Sequence, residues 1–192
     1  MLYIVIILLA VLAISGAVTL FSSEAFLSVL AWTALATVIV ILVDGLTATV
    51  CRLLPKSFVN PEKFVFQVSA KEKKFYEKLK IRKWKDKIPE IGHFTGFRKN
   101  KIADPKRVEY LDRFLLEVCY GEAGHFVSCI TSYAILFLFP LYELWFAVAI
   151  PVATVSMLLN LPSLFILRYN SYKLRVLRNS NLKKQQRADA SA

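Results

Sequence analysis

Residues 114–132, FLLEVCYGEAGHFVSCITS, stand where a long basic segment gives way to an apolar one. On a helix, Glu122 and His125 are three residues apart and share a face. Glu117 lies one and a half turns earlier, near that face but not squarely on it. Two carboxylates and an imidazole at the mouth of an apolar span are costly to place in lipid. The stretch is therefore a candidate reactive site, and treating it as a point of membrane entry organises the rest of the chain.

Outward from this junction, charge is sharply partitioned. Of 25 Lys and Arg, 18 lie between Arg52 and Arg113 and seven between Arg168 and Arg187. None falls in 1–51 or 114–167. The net charge of +11 thus belongs to two segments that flank apolar runs, where the positive-inside rule accounts for it. Nucleic acid is not an expected partner. A 56% hydrophobic content and a positive mean hydropathy argue against an ordinary soluble domain, and the charge distribution decides the matter.

Residues 2–21 and 25–43 carry no charge, and each approaches the ~20 residues that cross a hydrocarbon core. Only SSE (22–24) separates them. Two more apolar regions, 126–139 and 144–167, flank PLYE (140–143). The third is short unless it begins near Tyr120, which would place Glu122 and His125 at its cytoplasmic edge. Residues 1–21 lack a basic leader and are long, so a retained span is expected rather than a signal peptide.

The expected fold is all-α and polytopic: four transmembrane helices as two hairpins, both termini cytoplasmic, in the cell membrane. Residues 1–55 form the first hairpin. A basic amphipathic segment, 56–113, lies at the cytoplasmic face. Residues 114–170 form the second hairpin, and a basic tail, 171–192, is expected to be disordered. Within the basic segment, 63–70 suggests a short strand or extended stretch, and 71–90 a helix whose apolar stripe runs through Phe75, Leu79, Ile81, Trp84 and Ile88. Such a helix would rest on anionic inner-leaflet lipid with Trp84 at the interface. Residues 105–132 read as one long helix. Pro151, Asn160 and Pro162 imply an interrupted fourth span. Asp44 beside Gly45 reads at least as well as an interfacial acid as it does as a functional one. Cys51, Cys119 and Cys129 show no pairing pattern and are expected as thiols.

His125 can exchange a proton near neutral pH, and an acid one turn away can orient it and stabilise its charged form. The pair could deprotonate a sugar or lipid hydroxyl for attack on an activated acyl group. A Glu-x-x-His pair also recurs as half of a metal site. A second such pair is missing, and no metal is expected. Two further readings remain open: a non-enzymatic lipid-binding subunit, in which Glu122 and His125 are structural, and a metal-dependent lipid-modifying enzyme.

Five short blocks resemble a known family. They are IRKWKDKI (81–88), Gly92-His93, the set Glu117, Glu122 and His125, Asn160-Leu161-Pro162, and Arg168-Tyr169-Asn170. Their order and approximate spacing over about residues 40–178 resemble the glycosyl-4,4'-diaponeurosporenoate acyltransferases. The resemblance implies transfer of a fatty acyl group to a sugar hydroxyl of a membrane glycolipid, a glycosylated C30 carotenoid acid in the staphyloxanthin-type pathway. No cofactor is expected, with acyl-CoA or an acyl-carrier protein as acyl donor and membrane lipid and glycolipid as partners. On this reading His125 is the general base, Glu122 its orienting acid, and Glu117 a partner of the pair or of the substrate hydroxyl. Arg82, Lys83, Lys85 and Arg168 would hold phosphates of the donor or a headgroup. Trp84, His93, Asn160, Tyr169 and Asn170 complete the expected substrate-binding set.

Overall fold

A computed structural model describes residues 2–88, 102–138 and 142–191. Among these residues the fold is helical and contains no strand. Helix α1 (Leu2–Leu20) and α2 (Phe26–Leu53) form the first hairpin. Three helices follow: α3 (Ala70–Lys78), α4 (Ile81–Trp84) and α5 (Val108–Thr131). Helix α6 (Trp145–Asp189) completes the chain. Short 3₁₀ turns occupy Phe64–Phe66, Lys85–Lys87 and Ser132–Phe137.

Helices α1, α2 and α6 are long and apolar enough to cross a membrane. Several of their hydroxyls bond within the helix. Ser15, Thr33, Thr37 and Thr49 each donate to the carbonyl four residues back, at 2.7–2.8 Å. Without water, backbone and hydroxyl groups need such internal partners. The third apolar region is not a span-length α-helix. Helix α5 stops at Thr131 and the chain tightens into the 3₁₀ turn Ser132–Phe137.

The chain divides into two compact units. The first comprises Met1–Leu53 and Gly124–Pro162, the second Leu54–Ala123 and Ser163–Ala192. The core of the first gathers Val29, Ala36 and Val40 of α2 with Ile135, Trp145, Val148 and Val152. Trp32 stacks on Tyr142 (centroids 5.1 Å apart) and meets Trp145 edge-on, while the Trp145 indole donates to the Ile135 carbonyl at 3.1 Å. These ring contacts add to the area they bury. Gly124 faces Ala48 of α2, with room for an ordinary contact.

In the second unit, Leu111, Phe114, Leu115 and Val118 of α5 pack on Leu167 and Leu174 of α6. Gly121 abuts Leu167 so closely that a Cβ there would lie 3.0 Å from the Leu167 Cδ1. A second cluster joins Val68, Tyr76 and Ile81 to Ile166 and Tyr169.

Several local expectations change. Residues 63–70 form a 3₁₀ turn and an extended lead-in to Ser69, whose hydroxyl caps α3 by accepting from Glu72 N at 3.1 Å. The helix expected over 71–90 breaks at Lys80, which takes a left-handed φ of 54°. The Trp84 indole closes that corner by donating to the Leu79 carbonyl at 3.0 Å. The corner turns Ile81, Trp84 and Ile88 inward onto Ile166 and Tyr169, leaving Phe75 and Leu79 exposed. Residues 89–90, the end of that expected helix, lie outside the described residues.

The interruption expected in the fourth span is absent: α6 continues through Pro151 and Pro162. Each proline withholds one N–H from the helix. Near each, a side chain bonds to a backbone carbonyl one turn back, Thr154 to Ile150 at 2.8 Å and Asn160 to Ser156 at 3.1 Å. The tail expected to be disordered is helical to Asp189. Leu174 is buried and Leu177 packs beside it. Arg175 donates to the Pro61 and Phe66 carbonyls, Arg178 to Asp112 and Glu62, and Asn181 to the Pro105 carbonyl at 2.8 Å. These ties order a segment whose composition alone suggested a solvated run.

Candidate active site

The polar groups of the first unit converge on Asp44. It sits in α2, at the end of an otherwise uncharged apolar run. Ser156 Oγ donates to Asp44 Oδ2 at 2.6 Å, and Asn160 Nδ2 donates to the same oxygen at 3.2 Å. Ser132 Oγ lies 3.3 Å from Asp44 Oδ1 and 2.6 Å from the Ser128 carbonyl. Asn160 Oδ1 in turn lies 2.8 Å from His125 Nδ1. Helices α2, α5 and α6 thus contribute Asp44, His125 and Asn160 to one chain of hydrogen bonds. Nearby, the hydroxyls of Thr47 and Thr131 meet at 3.0 Å.

Each position follows from its helix. Ser156 and Asn160 are one turn apart on α6 and share a face. His125 and Ser132 are separated by seven residues, two turns, and point the same way. The side chains of Asp44, His125, Ser156 and Asn160 are partly buried, and Ser132 is fully buried.

The second unit holds a different cluster. Arg168 of α6 has every guanidinium N–H engaged. Nε donates to Glu72 Oε1, and Nη2 to Glu72 Oε2 at 3.0 Å. Nη1 donates to Glu122 Oε2 at 3.1 Å and to the Val65 carbonyl at 2.9 Å. Nη2 also donates to the Gln67 carbonyl at 3.3 Å. Tyr76 adds a 2.6 Å donation to Glu72 Oε1. This is the planar fork that arginine supplies and lysine cannot. Glu72 is partly buried, which by itself favours the neutral acid. The hydrogen bonds from Arg168 and Tyr76 outweigh that effect and hold its carboxyl below the usual carboxylate range.

The expected site residues belong to two hydrogen-bond clusters, one described in each unit. His125 and Asn160 come together in the first unit. Glu122, 2% exposed, is bound by Arg168 in the second. Arg168, expected to hold a phosphate, has no N–H left for one in this arrangement. Tyr169 is buried in the core with its ring under the Lys173 ammonium at 4.5 Å. Asn170 and Glu117 are partly buried. Arg82 and Lys83 are exposed, Trp84 is used at the Lys80 corner, and Lys85 pairs with Asp86 at 4.0 Å. His93 lies outside the described residues. Among the described residues, no group of three His, Cys, Asp or Glu side chains is arranged to hold a metal ion.

Sequence reasoning underrated Asp44 and missed Ser132, Ser156 and Glu72. For Asp44 the signal was present: an acid adjoining an apolar span needs partners. Glu72 carried no such signal, because it sits in a run of lysines where an exposed ion pair is the ordinary outcome.

Fold and site together define a small helical protein with three membrane-length helices among the described residues and a histidine bonded into a polar cluster. The family model for glycosyl-4,4'-diaponeurosporenoate acyltransferase matches residues 55–180, 126 of the 192. The chain belongs to that family and is an enzyme of the acyltransferase type. A search of curated proteins gives no significant match, and a search of solved structures gives none. His125, Asn160, Glu122 and Arg168 fall within the matched segment; Asp44 does not.

Proposed function

We propose that this enzyme moves a fatty acyl group from a thioester, acyl-CoA or an acyl-carrier protein, to a sugar hydroxyl of a membrane glycolipid. From the family, the acceptor is a glycosylated C30 carotenoid acid. His125 acts as the general base. It takes the hydroxyl proton as the sugar oxygen attacks the thioester carbonyl. The new C–O bond forms, the C–S bond breaks, and the proton passes to the departing thiolate. Such proton transfer contributes about 10²–10⁴-fold to rate. The observation that carries the reading is the imidazole of His125, held 2.8 Å from Asn160 inside a segment matched by an acyltransferase family.

The enzyme works as a four-span protein of the cell membrane with both termini cytoplasmic. The 12 α-helical residues from Tyr120 to Thr131 and the six-residue 3₁₀ turn after them rise together about 30 Å, enough for a span. Phe126, Ile130 and Phe137 are exposed along it, which suits lipid contact. Exposed Phe58, Phe64 and Val65 beside a lysine-rich segment suit an anionic inner leaflet, and Arg82 and Lys83 are open to donor phosphates. Purified protein in lipid vesicles, given acyl-CoA and glycosyl-4,4'-diaponeurosporenoate, should yield the sugar ester by mass spectrometry. Turnover of the thioester with no ester formed on any glycolipid would overturn the assignment.

A further inference from the structure

The geometry points to Asp44 as a positioning residue that acts through Asn160 to hold His125 as its Nδ1–H tautomer, leaving Nε2 as the basic nitrogen. The chain of reasoning uses only which groups donate and which accept. Asn160 Nδ2 faces Asp44 Oδ2 at 3.2 Å and the Ser156 carbonyl at 3.1 Å. A carbonyl accepts only, and so does a carboxylate. The amide NH₂ must lie on that side, which turns Asn160 Oδ1 toward His125. An amide oxygen also accepts only, so the hydrogen on the 2.8 Å contact belongs to His125 Nδ1. In the neutral ring the lone pair then sits on Nε2. Asp44 is itself fixed by the 2.6 Å donation from Ser156 Oγ and by Ser132 beside its other oxygen.

Two independent constraints hold the Asn160 amide, and each has a separate source. The Ser156 carbonyl is one turn away on the same helix. Asp44 comes from α2, outside the segment the family model covers. This chain therefore draws a determinant of its base from its first hairpin. The catalytic meaning of the tautomer rests on the proposed role of His125; the tautomer itself does not.

The test is ¹⁵N-histidine NMR of the full-length protein in detergent micelles, about two pH units above the ordinary histidine pKa of ~6.5. The chain has two histidines, so a His93→Gln sample assigns the His125 signals. The expected wild-type spectrum shows a protonated Nδ1 and an unprotonated Nε2. Asp44→Leu should produce a mixture of tautomers, while Asp44→Asn, whose carbonyl can still accept from Asn160, should preserve the wild-type pattern. In acyl transfer, Asp44→Leu should lower kcat about 10-fold or more and leave KM for the thioester unchanged. A wild-type spectrum with Nε2 protonated overturns the inference without need of any variant. So does an Asp44→Leu spectrum identical to wild type. Failure here is distinct from failure of the base assignment. An Nδ1–H ring with a fully active His125→Gln enzyme removes the base and keeps the positioning. An Nε2–H ring with an inactive His125→Gln enzyme does the reverse.

Discussion

Arg168 shows how much one side chain can organise. Five donors meet two carboxylates and two backbone carbonyls, and Glu122 among them is almost fully buried. Removing one member of a buried ion network leaves the others desolvated and unpaired, at a cost of about 3–5 kcal/mol. Arg168→Lys keeps the charge but not the fork, so it should lower the stability of the second unit by ~3 kcal/mol. Thermal denaturation in detergent checks this, and an unchanged midpoint would show that the fork contributes little. Glu72 adds a pH dependence. Its carboxyl is held below its unfolded value of about 4.3, so it stabilises the fold above that pH. The contribution is lost as pH falls through the folded value. Stability should therefore decline on acidification, and Glu72→Gln should flatten that decline while lowering stability at neutral pH. The sequence pointed to His125 and Glu122 by spacing alone. It could not assign their partners, because Asn160 and Arg168 stand 35 and 46 residues away and arrive only through folding.

Among the elements, the apolar periodicity and charge gaps made α1, α2 and the long α5 legible. The helix expected over 105–132 is α5, Val108–Thr131. Three features were not legible. The corner at Lys80 has neither Gly nor Pro to announce it, and only the Trp84 bond to Leu79 explains it. The prolines of α6 signalled a break, yet the helix runs through both. The helical tail was hidden by its charge, since the carbonyls and acids that hold Arg175 and Arg178 are distant in sequence. Helix packing supplies a prediction of its own. Gly121→Ala would set a methyl against Leu167, which is 2% exposed and has little room to move. Overpacking of this kind costs typically 1–3 kcal/mol, and a loss of about 1 kcal/mol should appear in denaturation. A variant as stable as wild type would mean that Leu167 finds another rotamer.

For the whole molecule, the decisive sequence feature was the placement of all 25 basic residues in two blocks. That pattern led to a helical membrane protein, and three membrane-length helices are present among the described residues. In the proposed four-span arrangement the third span is a composite of α5 and the 3₁₀ turn Ser132–Phe137, which hydropathy over a single regular helix does not register. The four-span arrangement predicts that the turn at 22–24 faces outward. Ser23→Cys should react with a membrane-impermeant maleimide in intact cells; reaction only after lysis would place that turn, and hence the termini, on the opposite sides.

The central claim is that His125 takes the proton of the acceptor hydroxyl. The most direct test compares wild-type and His125→Gln enzyme at equal folded concentration, with acyl-CoA and the carotenoid glycoside supplied in vesicles and ester formation followed over time. The account predicts a fall in kcat of about 100-fold or more with thioester binding retained. Full turnover by the His125→Gln enzyme would contradict it.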